Sequence, residues 1–163
     1  MKSVGYGIHG PIRQLFTTLT VVLMAAGCAS PGSGPRVVGA AEPVRVVDAD
    51  LTLLARIDTG AAACSLHAED IEVDWDRVHF VLRDGSGQPR RLSAPIADHA
   101  WVQSAHGTDL RPRVALQLEL GGVRKRVLVS LRDRSRMKYK MLVGRDFLAG
   151  DFLVDAARGE SVD

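Results

Sequence analysis

Apolar and polar residues alternate along several parts of the chain, which is typical of β-strands that bury one face. Residues 113–120 read RVALQLEL, the pair Gly121-Gly122 follows, and the alternation returns in residues 123–131. A two-residue glycine turn between two alternating segments predicts a β-hairpin. Residues 79–83 and 90–94 predict a second hairpin, since the turn-forming sequence DGSG stands between them.

The apolar segments that follow are shorter. Residues 141–143 and 152–154 are apolar, and residues 144–151 between them are long enough for one or two helical turns. No segment keeps a helical period over three turns. These patterns predict a mainly β fold, and a small closed or nearly closed β-barrel is the architecture that best accommodates them.

The first 27 residues predict an export signal, because basic residues precede an apolar stretch, residues 15–27, that is too short to span a membrane and ends in small residues. Residues 24–28, MAAGC, then resemble a bacterial lipobox, in which Cys28 would be acylated and become the first residue of the mature protein. Ala29 resembles the residue that directs such lipoproteins to the outer membrane of Gram-negative bacteria. We therefore expect a lipid anchor in the outer membrane, with the protein on the periplasmic side of the bacterial envelope. The alternative is a cleaved signal with an incidental cysteine.

The rest of the chain predicts one folded domain on a linker. Residues 28–43 are rich in small and turn-forming residues and predict a flexible tether. Residues 44–158 are enough for one compact core and show no internal repeat, and residues 159–163 form a predicted C-terminal tail. Cys64 would be a lone thiol in an oxidising compartment, and we predict that it is a small buried apolar residue and not a nucleophile.

Charge and composition exclude several classes of function. Hydrophobic residues make up 46% and charged residues 25% of the chain, which indicates a globular domain, and the net charge of +2 gives no footprint for nucleic acid. The histidines show no metal-ligand spacing and no glycine-rich phosphate loop is present, so we expect no metal and no other cofactor. The basic residues of 124–126 and 132–140 either form a solvated surface or attract acidic peptides or anionic lipids.

The triplet Asp58-Thr59-Gly60 is the strongest chemical signal in the chain. It ends the apolar segment 51–57, so that a carboxylate stands at the end of a predicted strand, followed by a small hydroxyl residue and a glycine. Two carboxylates that share one proton can hydrolyse a peptide bond, because one polarises the carbonyl group while the other deprotonates water. This chain supplies one such carboxylate, so the site would lie on the two-fold axis of a homodimer. The alternative is that Asp58 is only a turn residue after a strand.

A family resemblance is carried by residues 55–61, ARIDTGA, and by residues 131–148 followed by residues 152–155. These segments resemble the bacterial retropepsin-like peptidases that were historically labelled ATP-dependent zinc proteases. The same family is also described as the RimK/LysX-associated retropepsin-like domain. The resemblance implies a single-lobe acid-protease barrel that homodimerises. It implies that Asp58 is the catalytic carboxylate, that Thr59 hydrogen-bonds to its copy across the dimer axis, and that Gly60 lets the substrate backbone approach.

The same resemblance implies that Ala61, Gly144 and Arg145 support the site without taking part in the chemistry. In retroviral relatives the arginine pairs with an aspartate shortly after the catalytic triplet, but Ala61 or Ala62 stands there in this chain. The partner of Arg145 is therefore left open. The acidic side chains to consider are Asp146, Asp70 and Glu69.

A retropepsin also needs a flap that covers the substrate and excludes water. Residues 101–111 would supply it as a loop or hairpin tip, with Trp101, His106 and Gly107 as candidate flap residues; the alternative is a core tryptophan and a turn histidine. The function expected from the resemblance is an aspartic endopeptidase acting on a protein or peptide. Family members are linked to enzymes that add or process glutamate-containing peptides, so an acidic substrate is the first to consider. The alternatives are a catalytically inactive binding or regulatory lipoprotein and a structural envelope lipoprotein.

Overall fold

A computed structural model of the protein describes residues 34–104 and 107–159, with only the backbone described at residues 100–104 and 107–110. The predicted signal peptide, Cys28, His106 and the tail beyond residue 159 lie outside the described residues. Two short helical segments are present in the described part, a 3₁₀ turn at Val47–Ala49 and α1 at Arg145–Leu148. No helix in that part is long and apolar enough to cross a membrane.

Strands make up most of the described chain. They are β1 (Arg36–Val38), β2 (Ala41–Val46), β3 (Leu51–Ile57), β4 (Ser65–His67), β5 (Glu69–Asp74), β6 (Arg77–Arg83), β7 (Pro89–Ser104), β8 (Gly107–Leu120), β9 (Val123–Arg132), β10 (Met141–Val143) and β11 (Phe152–Val154). The predicted mainly β fold is confirmed.

Six of these strands close into a barrel. The hydrogen-bonded order is β2, β3, β10, β4, β9 and β8, and β2 pairs again with β8 through Arg45↔Glu119 and Val46↔Leu118. The strands β7, β6 and β5 extend outward from β8 in that order. Both predicted hairpins are present: β8 and β9 meet at the glycine turn, and β6 and β7 flank the DGSG turn.

The alternation seen in the sequence places one face of each strand in the core. On β8, Val114, Leu116, Leu118 and Leu120 are all at most 2% exposed. Such side chains contribute about 1.5–3 kcal/mol each when they are fully buried. The interior of the barrel is therefore the main source of stability, and it fixes the register of the strands on which the candidate site is built.

The predicted C-terminal boundary of the tether, residue 43, is wrong. Strand β1 pairs in parallel with β11, and β2 begins at Ala41, before the predicted domain start at residue 44. Val38 and Ala41 are at most 5% exposed, so they belong to the core. Glycine and proline in this stretch favour a linker when the sequence is read alone, but the apolar residues between them find partners in the barrel and at the opposite end of the chain.

Candidate active site

The candidate site lies where two parallel strands end side by side. Strands β3 and β10 pair with Ile57 opposite Val143, so the residues that follow them, Asp58 and Gly144, leave the sheet at the same edge. The Asp58 N–H donates to the Val143 carbonyl oxygen at 3.0 Å. This pairing brings the Asp-Thr-Gly segment and the Gly-Arg segment into contact, although more than 80 residues separate them in sequence.

The carboxylate of Asp58 is oriented by its own loop. Its Oδ1 atom accepts hydrogen bonds from the backbone N–H of Gly60 at 2.9 Å and of Ala61 at 3.2 Å. Asp58 is half-buried, while Thr59 and Gly60 are exposed. This geometry is compatible with both interpretations of Asp58, as a turn residue and as a catalytic carboxylate. An aspartate that closes a turn onto its own backbone also presents a fixed carboxylate.

Arg145 finds its partners on the backbone of that loop. Its Nη1 atom donates to the carbonyl oxygens of Thr59 at 2.9 Å and of Gly60 at 2.7 Å. In the part of the chain that the structure describes, no hydrogen bond or ion pair joins Arg145 to Asp146, Asp70 or Glu69. The Arg145 N–H also donates to the Ala61 carbonyl oxygen at 2.9 Å. The Arg145 guanidinium group therefore binds two successive peptide carbonyl groups and not an aspartate side chain.

Gly144 is required by close packing. A Cβ atom at this position would lie 2.6 Å from the carbonyl carbon and 2.7 Å from the carbonyl oxygen of Ala63. Gly144 is buried, and its N–H points to the Cys64 sulfur at 3.4 Å. The segment after β10 can thus lie directly against the segment after Asp58 only because residue 144 has no side chain.

Asp146 is a supporting residue that the sequence reasoning did not assign to the site. One of its carboxylate oxygens accepts the Cys64 N–H at 3.1 Å and the other accepts the Cys64 thiol at 3.1 Å. The prediction of a buried Cys64 is confirmed. Burial, followed by the negative charge of Asp146, raises the pKa of the Cys64 thiol, so the thiol stays neutral and donates.

The region predicted as a flap is a hairpin in its backbone. The pairing of β7 with β8 runs from Trp101 opposite Leu110 to Ser104 opposite Gly107. His106 lies outside the described residues. The hairpin supplies the shape that a flap requires, and the role of its residues stays a prediction.

Two buried arginines were not predicted from the sequence. Arg134 is 9% exposed and Arg111 is 5% exposed. Burial, and then the charges of Arg132 and Arg111, lower the pKa of Arg134, whereas the carboxylate of Asp58 acts in the opposite direction. Asp58 is therefore near enough for its charge to be felt by Arg134. The sequence carries no signal for this, because basic residues at alternating positions of 132–140 are equally typical of a solvated loop.

A mainly apolar cavity of about 300 Å³ lies beside the Asp-Thr-Gly loop, lined by Thr59, Arg145, Leu148, Ala149, Phe152, Leu153 and Val154. Leu153 is 57% exposed and its register partner Val37 on β1 is 44% exposed. In the part of the chain that the structure describes, no group of three or more His, Cys, Asp or Glu side chains is arranged to hold a metal ion.

A closed barrel that carries an Asp-Thr-Gly loop against a Gly-Arg segment defines a retropepsin-like protein. The chain belongs to the RimB-like family, described as the retropepsin-like aspartic endopeptidase RimB, which matches residues 37–163. The predicted family resemblance is confirmed.

The chain is also similar to curated proteins and to a solved structure. The chain is 37% identical over 110 residues to a probable alpha-L-glutamate ligase of Parasynechococcus marenigrum, with 62% of this chain and 23% of the relative covered. It is 31% identical over 111 residues to a protein of the same name from Shewanella pealeana, with 62% and 24% covered. The chain therefore spans about a quarter of the length of these curated relatives. The crystal structure of Lpg0085, a Legionella pneumophila protein of unknown function, matches with a TM-score of 0.66 and 27% identity, covering 77% of this chain and 97% of that one.

Proposed function

We propose that this protein is a homodimeric aspartic endopeptidase whose site is completed when two copies of Asp58 meet. The observation that carries the proposal is the placement of Asp58 at the end of β3, with its carboxylate held by two backbone N–H groups, in a chain of this family. Arg145 and Gly144 brace the loop from the neighbouring strand end. This is the arrangement expected of a fixed carboxylate with supporting residues behind it.

The dimer follows from the chemistry. Each chain offers one candidate dyad carboxylate, and activation of water between two carboxylates needs a second, which an isologous two-fold contact provides. We propose the sheet of β1 and β11 as the contact surface. Of its exposed apolar pair, Val37 and Leu153, the second lines the cavity together with Thr59, so a second copy seated there would bury apolar surface beside the Asp-Thr-Gly loop.

In the proposed reaction the two Asp58 carboxylates carry one proton between them, because two like charges in contact are not both ionised. The protonated carboxyl group donates to the carbonyl oxygen of the substrate, and the ionised one takes a proton from water. The water oxygen then bonds to the carbonyl carbon. The carbon–nitrogen bond breaks as the leaving amine accepts a proton from the dyad, and the shared-proton state returns without a covalent intermediate.

The proposed substrate is a protein or peptide, with an acidic peptide as the first to test. The relatives named as glutamate ligases favour this choice, because their names place a domain of this kind in proteins associated with glutamate-containing products. We further propose that acylated Cys28 anchors the protein in the outer membrane on its periplasmic side. The lipobox-like residues 24–28 support that part of the proposal.

The test is digestion of a diverse peptide library by the full-length chain at several pH values, with cuts identified by mass spectrometry. The full-length chain is needed because β1 and β2 begin before residue 44. The inactivating variant is Asp58→Asn. The matched control is Asp84→Asn, because the Asp84 Oδ1 atom also accepts two backbone N–H groups, in the turn between β6 and β7.

We expect specific cuts from the wild type and from Asp84→Asn, and none from Asp58→Asn. Sedimentation analysis of the same samples should show a dimer in all three. Cuts that survive in Asp58→Asn would contradict the proposed chemistry. A dimer that cuts nothing in any form would favour the catalytically inactive binding or regulatory lipoprotein.

A further inference from the structure

The turn between β5 and β6 carries an exposed tryptophan. Trp75 follows Asp74, the last residue of β5, and is 97% exposed. Its φ angle is 52°, in the left-handed region that glycine and asparagine adopt easily and that is unfavourable for a bulky aromatic residue. Neither burial nor turn geometry therefore favours tryptophan at this position. Tryptophan is, however, one of the residues that most often anchor protein–protein contacts.

Strand β5 lies at the edge of its sheet. Residues 72–74 pair with residues 77–79 of β6, and among residues 34–104 and 107–159 no strand pairs with the other side of β5. The backbone groups on that side can accept a further strand. Val73 is 55% exposed although its register partner Val78 is buried. An added strand would therefore find both open backbone groups and uncovered apolar surface.

The charges along this edge all have the same sign. Residues 69–76 contain five acidic and no basic residues. Glu69 pairs with Arg83 at 2.8 Å, and the other four carboxylates form no ion pair with any residue that the structure describes. Such an edge attracts basic segments and repels nucleic acid, anionic lipid and its own copy. Charges on an edge strand also prevent unwanted pairing, but that role does not require an exposed tryptophan.

The order of side chains along β5 defines the complementary sequence. Successive residues of a strand point to opposite faces, so Glu72 and Asp74 lie on one face and Val73 on the other, with Trp75 at the end. A strand added here would meet acidic side chains on one face and apolar ones on the other. Its best complement is a segment in which basic and apolar residues alternate, and a basic side chain over the Trp75 ring would add a cation–π contact.

We propose that residues 72–75, the β5 edge surface, bind an extended segment of a partner protein in which basic and apolar residues alternate. The segment adds to the sheet as a further strand. Main-chain hydrogen bonds supply affinity, the carboxylates of Glu72 and Asp74 select basic residues, and Trp75 anchors the end of the segment. The proposal does not depend on the proposed peptidase function, because it uses no residue of the Asp-Thr-Gly loop.

The experiment uses the full-length protein and three fluorescein-labelled heptapeptides with blocked ends. The first alternates lysine and valine, the second has glutamate in place of lysine, and the third has the composition of the first with its lysines and valines in separate blocks. Binding is measured by fluorescence anisotropy, and hydrogen exchange of residues 71–75 reports strand pairing. The variants are Trp75→Asn, the double variant Glu72→Gln/Asp74→Asn, and the control Met137→Asn, at an apolar residue that is 48% exposed outside this surface.

We expect the wild type to bind the alternating peptide at least about 10-fold more tightly than either comparison peptide, and hydrogen exchange in β5 to slow when it is bound. Trp75→Asn should weaken this binding about 10-fold or more, as loss of an anchoring aromatic residue does. The double variant should weaken it about 3- to 10-fold. Met137→Asn should bind like the wild type.

The Tm of Trp75→Asn separates a binding role from a structural one. Asparagine tolerates the φ angle of this turn and the lost side chain is almost fully exposed, so the Tm should equal or exceed that of the wild type. A lower Tm would mean that Trp75 stabilises the hairpin and would count against the proposal. No binding at about 1 mM peptide, equal binding of all three peptides, or unchanged binding by Trp75→Asn would overturn it. Loss of self-association in Trp75→Asn would instead assign the surface to a contact between copies.

Discussion

Replacement of Gly144 by alanine tests whether the two strand ends must touch for the candidate site to form. The φ angle of Gly144 is −93°, which alanine adopts without strain, so any cost of the substitution is steric. The new Cβ atom would lie 2.6, 2.7 and 2.9 Å from the C, O and N atoms of Ala63. These are backbone atoms, and they can move only if the loop between Asp58 and Cys64 shifts away from β10.

The expected loss follows from two opposing effects. Overpacking a well-filled site costs about 1–3 kcal/mol, and the restricted unfolded chain of an alanine variant returns about 0.4–1 kcal/mol. Gly85→Ala is the matched control, because no atom lies within 4 Å of a Cβ at that position. In Gly85→Ala the unfolded chain is restricted to the same extent, so the variant gains the same stabilisation without the steric clash. We therefore expect Gly144→Ala to be less stable than Gly85→Ala by about 1–3 kcal/mol, or roughly 4–12 °C in Tm for a fold of this size.

The assay is thermal and urea denaturation of the full-length proteins, followed by circular dichroism. A Gly144→Ala variant as stable as Gly85→Ala would refute the reasoning, because it would mean that the Asp-Thr-Gly segment does not lie directly against the residue after β10. If the variant is less stable but folded, its loop has moved, and the proposed peptidase activity should fall as well.

Two further results are expected. The pKa of the Cys64 thiol is raised in the folded protein, so the stability that the neutral thiol contributes is present below the unfolded pKa of about 8.5 and is lost as pH rises above it. The free energy of unfolding should therefore fall at alkaline pH, and it should fall less in Cys64→Ala. Iodoacetamide should label the Cys64 tryptic peptide only after unfolding, and rapid labelling of the folded protein would contradict the buried, neutral thiol. Lys125 Nζ donates to the Phe147 and Ala149 carbonyl oxygens at 2.6 and 3.1 Å and pairs with Asp151, so Lys125→Met should cost about 1–2 kcal/mol in urea denaturation. The exposed Arg136→Met should cost little, and equal losses in both would argue against this role of Lys125 at the end of α1.

The parts of the fold that depend on neighbouring residues could be predicted from the sequence. The hairpin of β8 and β9 follows from alternation and a glycine pair, both of which lie within one stretch of chain. Strand β1 could not be found in this way, because three residues carry little periodicity and their partner, β11, lies at the other end of the chain. Without the partner strand in view, the small and turn-forming residues around β1 predicted a flexible tether.

The candidate site shows the same division. Asp58 could be identified because its neighbours in sequence, Thr59 and Gly60, are part of the signal. The partners of Arg145 could not, because they are backbone carbonyl oxygens, which every residue has. The burial of Arg134 also depends on the loop around it and on contacts such as that with His67, which no local pattern of charges reveals.

The parallel pairing of β3 with β10 has a consequence for the order in which the protein matures. Arg145 holds carbonyl groups 85 and 86 residues earlier in the chain, so the loop around Asp58 is not braced until almost the whole domain is available for folding. Contacts between residues so distant in sequence form slowly, because a long loop must close before they are gained. A nascent or truncated chain would therefore carry Asp58 without a formed site, and the proposed activity would arise only after synthesis of the domain is complete.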